Sequence, residues 1–279
     1  MDNYAVAGNP ISHSLSPWIH ARFAEQTSES LIYEKLLVPH GEFEQVANHF
    51  FELDGKGLNI TLPCKLDAYN YAQRLTDRAK DAGAVNTLIR EADGSLLGDN
   101  TDGQGLVTDL KANLGWQIAD ARVLILGAGG AVRGVLGPLL SELPAKLVIA
   151  NRTVEKAREL VSHFDQVGVP LAVNSLRDLE LLKDFDLVIN ATSAGLSGEG
   201  VSMPTGLFAA GGGAYDMVYG AAAAPFINAA RNLGVLRYSD GLGMLVEQAA
   251  ESFFHWRGVR PETSAVLRLL RQKQKEEAR

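Results

Sequence analysis

Val123-Leu124-Ile125-Leu126-Gly127-Ala128-Gly129-Gly130-Ala131 is the stretch on which the fold turns. Its four continuous apolar residues read as a strand buried on both faces, as in a parallel sheet covered by helices. Gly127 then allows a sharp turn, Gly129 lets backbone approach a pyrophosphate, and a helix running to about Leu140 offers free N–H groups to an anion. The spacing departs from Gly-x-Gly-x-x-Gly, because Val132 stands at the third glycine position. The glycines alone are compatible with a tight turn that binds nothing. A buried strand before them and a helix after them favour a dinucleotide.

Downstream, strands are expected at Leu147 to Ala150, Leu187 to Asn190, Ala214 to Met217 and Val235 to Tyr238, with helices between them, the order of a doubly wound sheet. The first of these ends at Asn151-Arg152-Thr153, about 20 residues past the glycine turn, where an NAD enzyme carries an acid for the ribose hydroxyl. No acid stands there. Arg152 can stack on adenine and pair with a 2′-phosphate, Thr153 adds a hydroxyl and Lys156 a further charge, so NADP is preferred to NAD. Asn151 or Thr153 can equally cap the helix from Val154 to His163, and both roles can hold together.

Upstream, Leu31 to Leu37 and Gly57 to Leu62 read as strands around a helix from Phe43 to Glu52. Thr76 to Ala82 reads as helix, and strands at Ala84 to Ile89 and Ser95 to Leu97 are joined by the turn Ala92-Asp93-Gly94. Gly105 to Asn113 has helical spacing, with Leu106, Leu110 and Leu114 on one face. After Asp240-Gly241-Leu242-Gly243 the pattern is wholly helical, from Met244 to Trp256 and from Pro261 to the charged end Lys273 to Arg279. These helices are expected to pack back on the first domain. The chain is therefore expected to hold one domain over 1–102 and 241–279, a second over 103–240, and a connecting helix at 103–114.

Composition narrows the function classes. The 279 residues are 46% hydrophobic and 21% charged, ordinary for a soluble globular protein. A net charge of −7 gives no electrostatic case for nucleic acid, which needs clustered Lys and Arg. No apolar run approaches the roughly 18 residues of a membrane span, and the first residues lack the pattern of an export signal. The single cysteine, Cys64, cannot form an internal disulfide, which suits a reducing cytoplasm, and no Cys or His spacing suggests a metal site. No long exposed apolar stripe compels a dimer, so a monomer is favoured over a homodimer.

Three polar groups interrupt the apolar strands of the first domain. In Ser12-His13-Ser14-Leu15-Ser16-Pro17, Ser16 before Pro reads as a helix cap, whereas Ser14 has no such role. In Asn59-Ile60-Thr61-Leu62-Pro63-Cys64-Lys65, Asn59 and Thr61 share one strand face, and Lys65 beyond them reads either as a surface charge or as a catalytic group. Asn86-Thr87 and Asn100-Thr101-Asp102-Gly103 form the third group, with Asp102 opening a helix as a cap or serving a site.

Taken with Gly83-Ala84-Val85-Asn86-Thr87, Asn190-Ala191-Thr192-Ser193, Tyr215-Asp216-Met217-Val218-Tyr219 and Asp240-Gly241-Leu242-Gly243-Met244-Leu245, these motifs resemble the shikimate dehydrogenase family over essentially the whole chain. The resemblance implies an N-terminal α/β substrate domain plus a doubly wound Rossmann-type NADP domain, with a small hydroxylated ring carboxylate held between the two. The implied reaction is reversible hydride transfer from NADPH to 3-dehydroshikimate, giving shikimate in aromatic biosynthesis. Lys65 would be the catalytic residue, paired with Asp102. Ser14 and Ser16 would bind the substrate carboxylate; Asn59, Thr61, Asn86, Asp102 and Gln248 would hold the ring hydroxyls, with Tyr219 completing the pocket. Gly127, Ala128, Gly129, Gly130, Ala131, Asn151, Arg152, Thr153 and Lys156 would form the cofactor loops, Met217 and Gly241 would border the nicotinamide, and Asp77 matches an acidic position near the cofactor. The family's usual aromatic between Pro and Lys is here Cys64, the acid that often follows is Leu66, and a frequent Arg of the cofactor loop is Lys156. A quinate/shikimate dehydrogenase with broader substrate or NAD use is the alternative enzyme. Methylenetetrahydrofolate dehydrogenase fits less well, because Ser14 and Ser16 suit a small carboxylate better than a pterin. A non-catalytic NADP-sensing protein is the alternative of a different class; it would be expected to lose Lys65 or Asp102, and both are present.

Overall fold

The computed structural model describes residues 1–164, 168–198 and 200–277. The chain divides into two compact units, Met1–Gly105 with Leu245–Arg279, and Leu106–Met244. Ala278 and Arg279, the end of the expected C-terminal helix, lie outside the described residues.

The first unit is built on six strands, β1 (Asp2–Gly8), β2 (Leu31–Leu37), β3 (Gly55–Ile60), β4 (Arg74–Leu75), β5 (Thr87–Arg90) and β6 (Leu96–Asp99). Their order is β2-β1-β3-β5-β6-β4, and β5 alone runs antiparallel to its neighbours. One face buries Ala5, Ala7, Leu58, Ile60 and Leu88 against Phe43, Ala47 and Phe51 of helix Phe43–Glu52. The C-terminal helix Leu242–Arg257 returns to this sheet: Trp256 Nε1 donates to the Leu88 carbonyl at 3.1 Å, and its ring stacks 4.7 Å from that of Tyr4. Gly57 makes room for it, since a Cβ there would stand 2.2 Å from Trp256 Nε1.

The second unit holds β7 (Arg122–Leu126), β8 (Lys146–Asn151), β9 (Leu171–Ser175), β10 (Phe185–Asn190), β11 (Phe208–Asp216) and β12 (Arg237–Ser239). They pair in parallel throughout in the order β12-β11-β10-β7-β8-β9, that of a doubly wound sheet. Alternation along β7 shows why its apolar run is continuous. Val123 and Ile125 join Val132, Val135, Leu136 and Leu139 of helix Gly130–Ser141 on one side, while Leu124 and Leu126 join Phe226 and Ala230 of helix Ala224–Asn232 on the other. From Val123 to Leu126 both faces are core, so none of these four positions can be polar.

Several expected boundaries shift. The strand expected over 57–62 ends at Ile60, because the chain turns at Thr61, whose carbonyl accepts from the Cys64 N–H, and Pro63 has no N–H for a ladder. The strands expected at 84–89 and 95–97 lie instead at Thr87–Arg90 and Leu96–Asp99. The helix expected over 105–113 is α-helical from Asp102 to Thr108 and continues as a π-helical turn over Asp109–Asn113. There the buried Asp109 carboxylate accepts from the Tyr215 hydroxyl at 2.7 Å and from Asn113 Nδ2 at 2.9 Å. A wider turn of this kind departs from the 3.6-residue period that predicts a regular helix.

Candidate functional site

In the first unit the polar residues converge at the ends of β3, β5 and β6. Lys65 opens helix Lys65–Tyr71, and its Nζ lies 2.5 Å from Asp102 Oδ2; both side chains are largely but not wholly buried. The other Asp102 oxygen accepts from Asn86 Nδ2 at 2.9 Å. Asn86 is 2% exposed and is the hub of the cluster: Nδ2 also faces Thr101 Oγ1 at 2.9 Å and Gln248 Oε1 at 3.3 Å, and Oδ1 accepts from the Thr101 N–H at 2.9 Å. The structure thus brings Lys65, Asp102, Asn86 and Gln248 into one hydrogen-bonded group, in which Asn86 is buried and the other three are partly exposed.

Asn59 is also buried, and its amide is already engaged. Its Oδ1 accepts from the Tyr33 hydroxyl at 2.7 Å, and its Nδ2 reaches Ser252 Oγ at 3.0 Å and Thr87 Oγ1 at 3.1 Å. With its amide hydrogens so engaged, its side chain braces the strand ends. Thr61 is half-buried between β3 and Lys65, and Gly8 gives it space, since a Cβ at Gly8 would fall 2.4 Å from Thr61 Cγ2.

Ser14 and Ser16 stand at the start of helix Ser16–Thr27. Ser16 is not the cap: Leu15 holds that position and no side chain caps the helix, while Ser14 Oγ accepts from the Ser16 N–H at 3.3 Å. The hydroxyl left without a role in the sequence therefore has a local one, and Ser16 points into the buried side, toward Tyr33. Burial pushes the Tyr33 phenol well above its ordinary range, with Ser16 opposing. Asp77 stands apart from the cluster, exposed in the first turn of helix Asp77–Ala82 and paired with Lys80 at 2.9 Å.

Sequence reasoning missed Tyr33 and Ser252, and it placed Thr101 in a polar motif without giving it a role. Ser252 had a signal, because it follows Gln248 by four residues and so shares its helix face. Tyr33 had none, as its role arises from the register of β2 beside β1. Sequence reasoning also missed His20, wholly buried and stacked on Tyr33 at 4.2 Å, with neither ring nitrogen bonded to any described residue. Burial lowers its pKa to about 3, with Asn59 opposing.

In the second unit, Gly127 follows β7 with φ +108, a conformation open in practice to glycine alone, and a Cβ there would stand 3.1 Å from the Ala191 carbonyl oxygen. Gly129 occupies the N-cap of helix Gly130–Ser141, with Ala128 half-buried before it and Ala131 exposed after it. A Cβ on Gly129 or Gly130 would meet no atom within 4 Å. These two glycines leave open space that a side chain would fill, over a helix N-terminus with free N–H groups. Phosphate fits such a cradle.

At the end of β8, Arg152, Thr153 and Lys156 are exposed, and neither cation has an ion-pair partner among the described residues. Thr153 sits at the N-cap of helix Val154–Ser162 without a side-chain cap bond, and Asn151 Nδ2 donates to the Thr153 carbonyl at 2.7 Å, so capping does not account for these side chains. At the end of β11, Met217 and Gly241 touch through backbone, since a Cβ on Gly241 would lie 2.3 Å from the Met217 carbonyl oxygen. Asp216 beneath them is buried, and burial pushes it up to about 6 against the bonds from Asn190 Nδ2 and the Val218 N–H. Burial also raises the half-buried Tyr219 phenol. Among the described residues, no group of three or more His, Cys, Asp or Glu could hold a metal, and no helix is long and apolar enough to cross a membrane.

Comparison with known proteins agrees with this chemistry. Residues 6–88 match the shikimate dehydrogenase substrate binding domain, 109–197 the shikimate / quinate 5-dehydrogenase family and 241–271 the shikimate 5′-dehydrogenase C-terminal domain. The shikimate dehydrogenase (NADP(+)) of Nitrosospira multiformis is 53% identical over 97% of both chains, and that of a Janthinobacterium species is 55% identical over 98% of both. Among solved structures, an Ael1 enzyme from Pseudomonas putida superposes with a TM-score of 0.91 at 45% identity, covering 97% of this chain and 98% of that one. The shikimate 5-dehydrogenase of Thermus thermophilus, solved with NADP(H) and shikimate, gives a TM-score of 0.84 at 32% identity over 98% of this chain and 99% of that one.

Proposed function

The chain belongs to the shikimate dehydrogenase family, an NADP-dependent oxidoreductase reducing 3-dehydroshikimate reversibly to shikimate, and on that premise we propose that Lys65 and Asp102 carry the reaction. The observation that carries the assignment is the 2.5 Å contact between Lys65 Nζ and Asp102, set inside a group of amides and hydroxyls. Bound NADPH supplies the hydride to the ring carbonyl carbon. The carbonyl oxygen then takes up negative charge, which the Lys65 ammonium stabilises and neutralises by transferring a proton from Nζ. Asp102 accepts from Nζ, holds the ammonium in place and is itself held by Asn86, so the pair acts as a unit.

Asn59, Thr61, Asn86, Asp102 and Gln248 are the ring-hydroxyl ligands in this reading, and Ser14 and Ser16 the carboxylate ligands. Such groups discriminate strongly, because a substrate lacking a hydroxyl leaves a buried partner unpaired. Gly127, Ala128, Gly129, Gly130 and Ala131 would hold the cofactor's pyrophosphate, Arg152, Thr153 and Lys156 with Asn151 its 2′-phosphate, and Met217 and Gly241 its nicotinamide. We assign Tyr219 to the substrate and Asp77 to the cofactor. The first unit is then the substrate domain and the second the NADP domain. The buried Cys64 needs no oxidising compartment, and we take the enzyme to work in the cytoplasm as a monomer.

Steady-state turnover of shikimate with NADP tests the reading, with quinate and NAD as comparison arms. Replacing Lys65 by Ala should lower kcat by about two orders of magnitude or more with little change in KM. A near-normal kcat in that variant would remove Lys65 from the mechanism.

A further inference from the structure

Behind the catalytic pair lies a charge network that the reaction as written does not use. Asp99, at the end of β6, is wholly buried, and its carboxylate is bonded from several directions. Arg78 grips it with Nε at 2.7 Å and Nη2 at 2.5 Å, Thr76 Oγ1 donates at 2.6 Å and the Asn100 N–H at 2.8 Å. Burial opposes ionisation of Asp99, yet the Arg78 fork holds its pKa below the ordinary value. Arg78 also reaches Glu251 at 3.2 Å, and Glu251 is paired with Arg260 and His255 in turn.

Two lines of contact lead from this network to the site. Along the chain, the Asp99 carbonyl accepts from the Asn86 N–H at 3.0 Å, and Asn100, 2% exposed, accepts the Asp102 N–H on Oδ1 at 3.2 Å while its Nδ2 donates to the Ala84 carbonyl at 3.0 Å. The turn that presents Asp102 and the strand end that presents Asn86 therefore both hang on Asp99 and Asn100. Through helix Leu242–Arg257, Glu251 lies one turn from Gln248 and next to Ser252, whose side chains meet Asn86 and Asn59. A buried ion pair is weak support for stability, because apolar residues of similar volume often serve as well. A planar fork instead fixes direction, which a lysine ammonium cannot do.

We propose that Arg78, acting through Asp99, is a positioning residue for hydride transfer: it ties the Asn100–Asp102 turn to the helix that carries Gln248, and so keeps Asp102 on Lys65. This rests on the roles assigned to Lys65 and Asp102 above. Neither Arg78 nor Asp99 contacts the reacting atoms in this scheme; they act by holding the groups that do.

The test uses the full-length enzyme, with Arg78→Lys, Arg78→Met and Asp99→Asn beside the parent and Lys65→Ala, measuring kcat, both KM values, the pH profile of kcat and thermal melting. Arg78→Lys, which keeps the charge and loses the fork, should lower kcat about tenfold or more, as expected of a small misplacement, and move the pH profile while leaving KM for NADP within about twofold. Arg78→Met and Asp99→Asn should lose more. Parent-like kcat and pH profile in Arg78→Lys would overturn the proposal, as would a loss that vanishes once rates are normalised to folded enzyme. Should Arg78→Lys not fold, Glu251→Gln weakens the second tie while keeping the Arg78–Asp99 fork; it should lower kcat about threefold, and parent kinetics there would overturn the proposal instead. An inactive parent, or an active Lys65→Ala, would count against the assigned function; an active parent with a dead Lys65→Ala and a normal Arg78→Lys counts against the positioning role alone.

Discussion

Arg152 shows how much a single exposed side chain can decide. It stands at the end of β8 with no ion-pair partner among the described residues, so its charge is available to a ligand. A charge-assisted bond to a 2′-phosphate is worth about 2 kcal/mol, or roughly thirtyfold in affinity. Arg152→Ala should therefore raise KM for NADP by about that factor and leave KM for NAD within about twofold. Equal loss toward both cofactors would mean that Arg152 reads adenine rather than phosphate. At this scale the sequence was legible where a residue departs from an expected type at a known offset, as Arg152 does. It was less so where a residue's meaning comes from a partner far along the chain. Asn59 read as a polar residue sharing a strand face with Thr61, and its bonds to Tyr33 and Ser252, distant in sequence, could not be foreseen from that pattern.

The strand-turn-helix of β7 and helix Gly130–Ser141 separates folding from binding within four residues. Gly127 is demanded by backbone conformation, with φ +108 and the Ala191 carbonyl close by, whereas Gly129 has neither constraint. Gly127→Ala should destabilise the enzyme by about 1–3 kcal/mol and also weaken NADPH binding. Gly129→Ala should melt with the parent and still bind NADPH at least about tenfold more weakly, because its Cβ would take up space in the cradle proposed for the pyrophosphate. Parallel losses of stability in both variants would show that the cradle is merely a structural turn. Elements with strong patterns, such as β7, helix Phe43–Glu52 and β2, are where the sequence said they would be. β1 was not recognised, being Ala-rich and weak in β propensity, and neither was β9, a five-residue edge strand with every position half-buried. The π-helical turn at Asp109–Asn113 was also invisible, since the leucine spacing there suits an ordinary helix and the buried Asp109 pairs with Tyr215 from a distant strand.

Over the whole molecule, two buried titrations of opposite sign give the two units opposite responses to acid. His20, in the first unit, takes up its proton near 6.5 when unfolded and near 3 when folded. The unfolded chain thus binds more protons between those values, so the stability this burial allows is complete above about pH 6.5 and is lost as pH falls toward 3. Fully developed, the difference is about 5 kcal/mol, of which about 2 kcal/mol is lost between pH 6.5 and 5. Asp216, in the second unit, is pushed up from 3.8 to about 6, so its contribution runs the other way and is lost as pH rises through that window. The first unit should accordingly be the one that acid unfolds. His20→Phe keeps the ring stacked on Tyr33 and removes the proton site. In urea titrations followed by Trp256, a reporter within the first unit, the parent should weaken between pH 7 and 5 while His20→Phe holds nearly level. Asp216→Asn should leave that transition unchanged and alter only the pH dependence of the second unit. If His20→Phe weakens toward acid as steeply as the parent does, the buried imidazole is already partnered by a group that stabilises its charge, and the acid sensitivity must be sought in the Asp99 and Glu251 carboxylates.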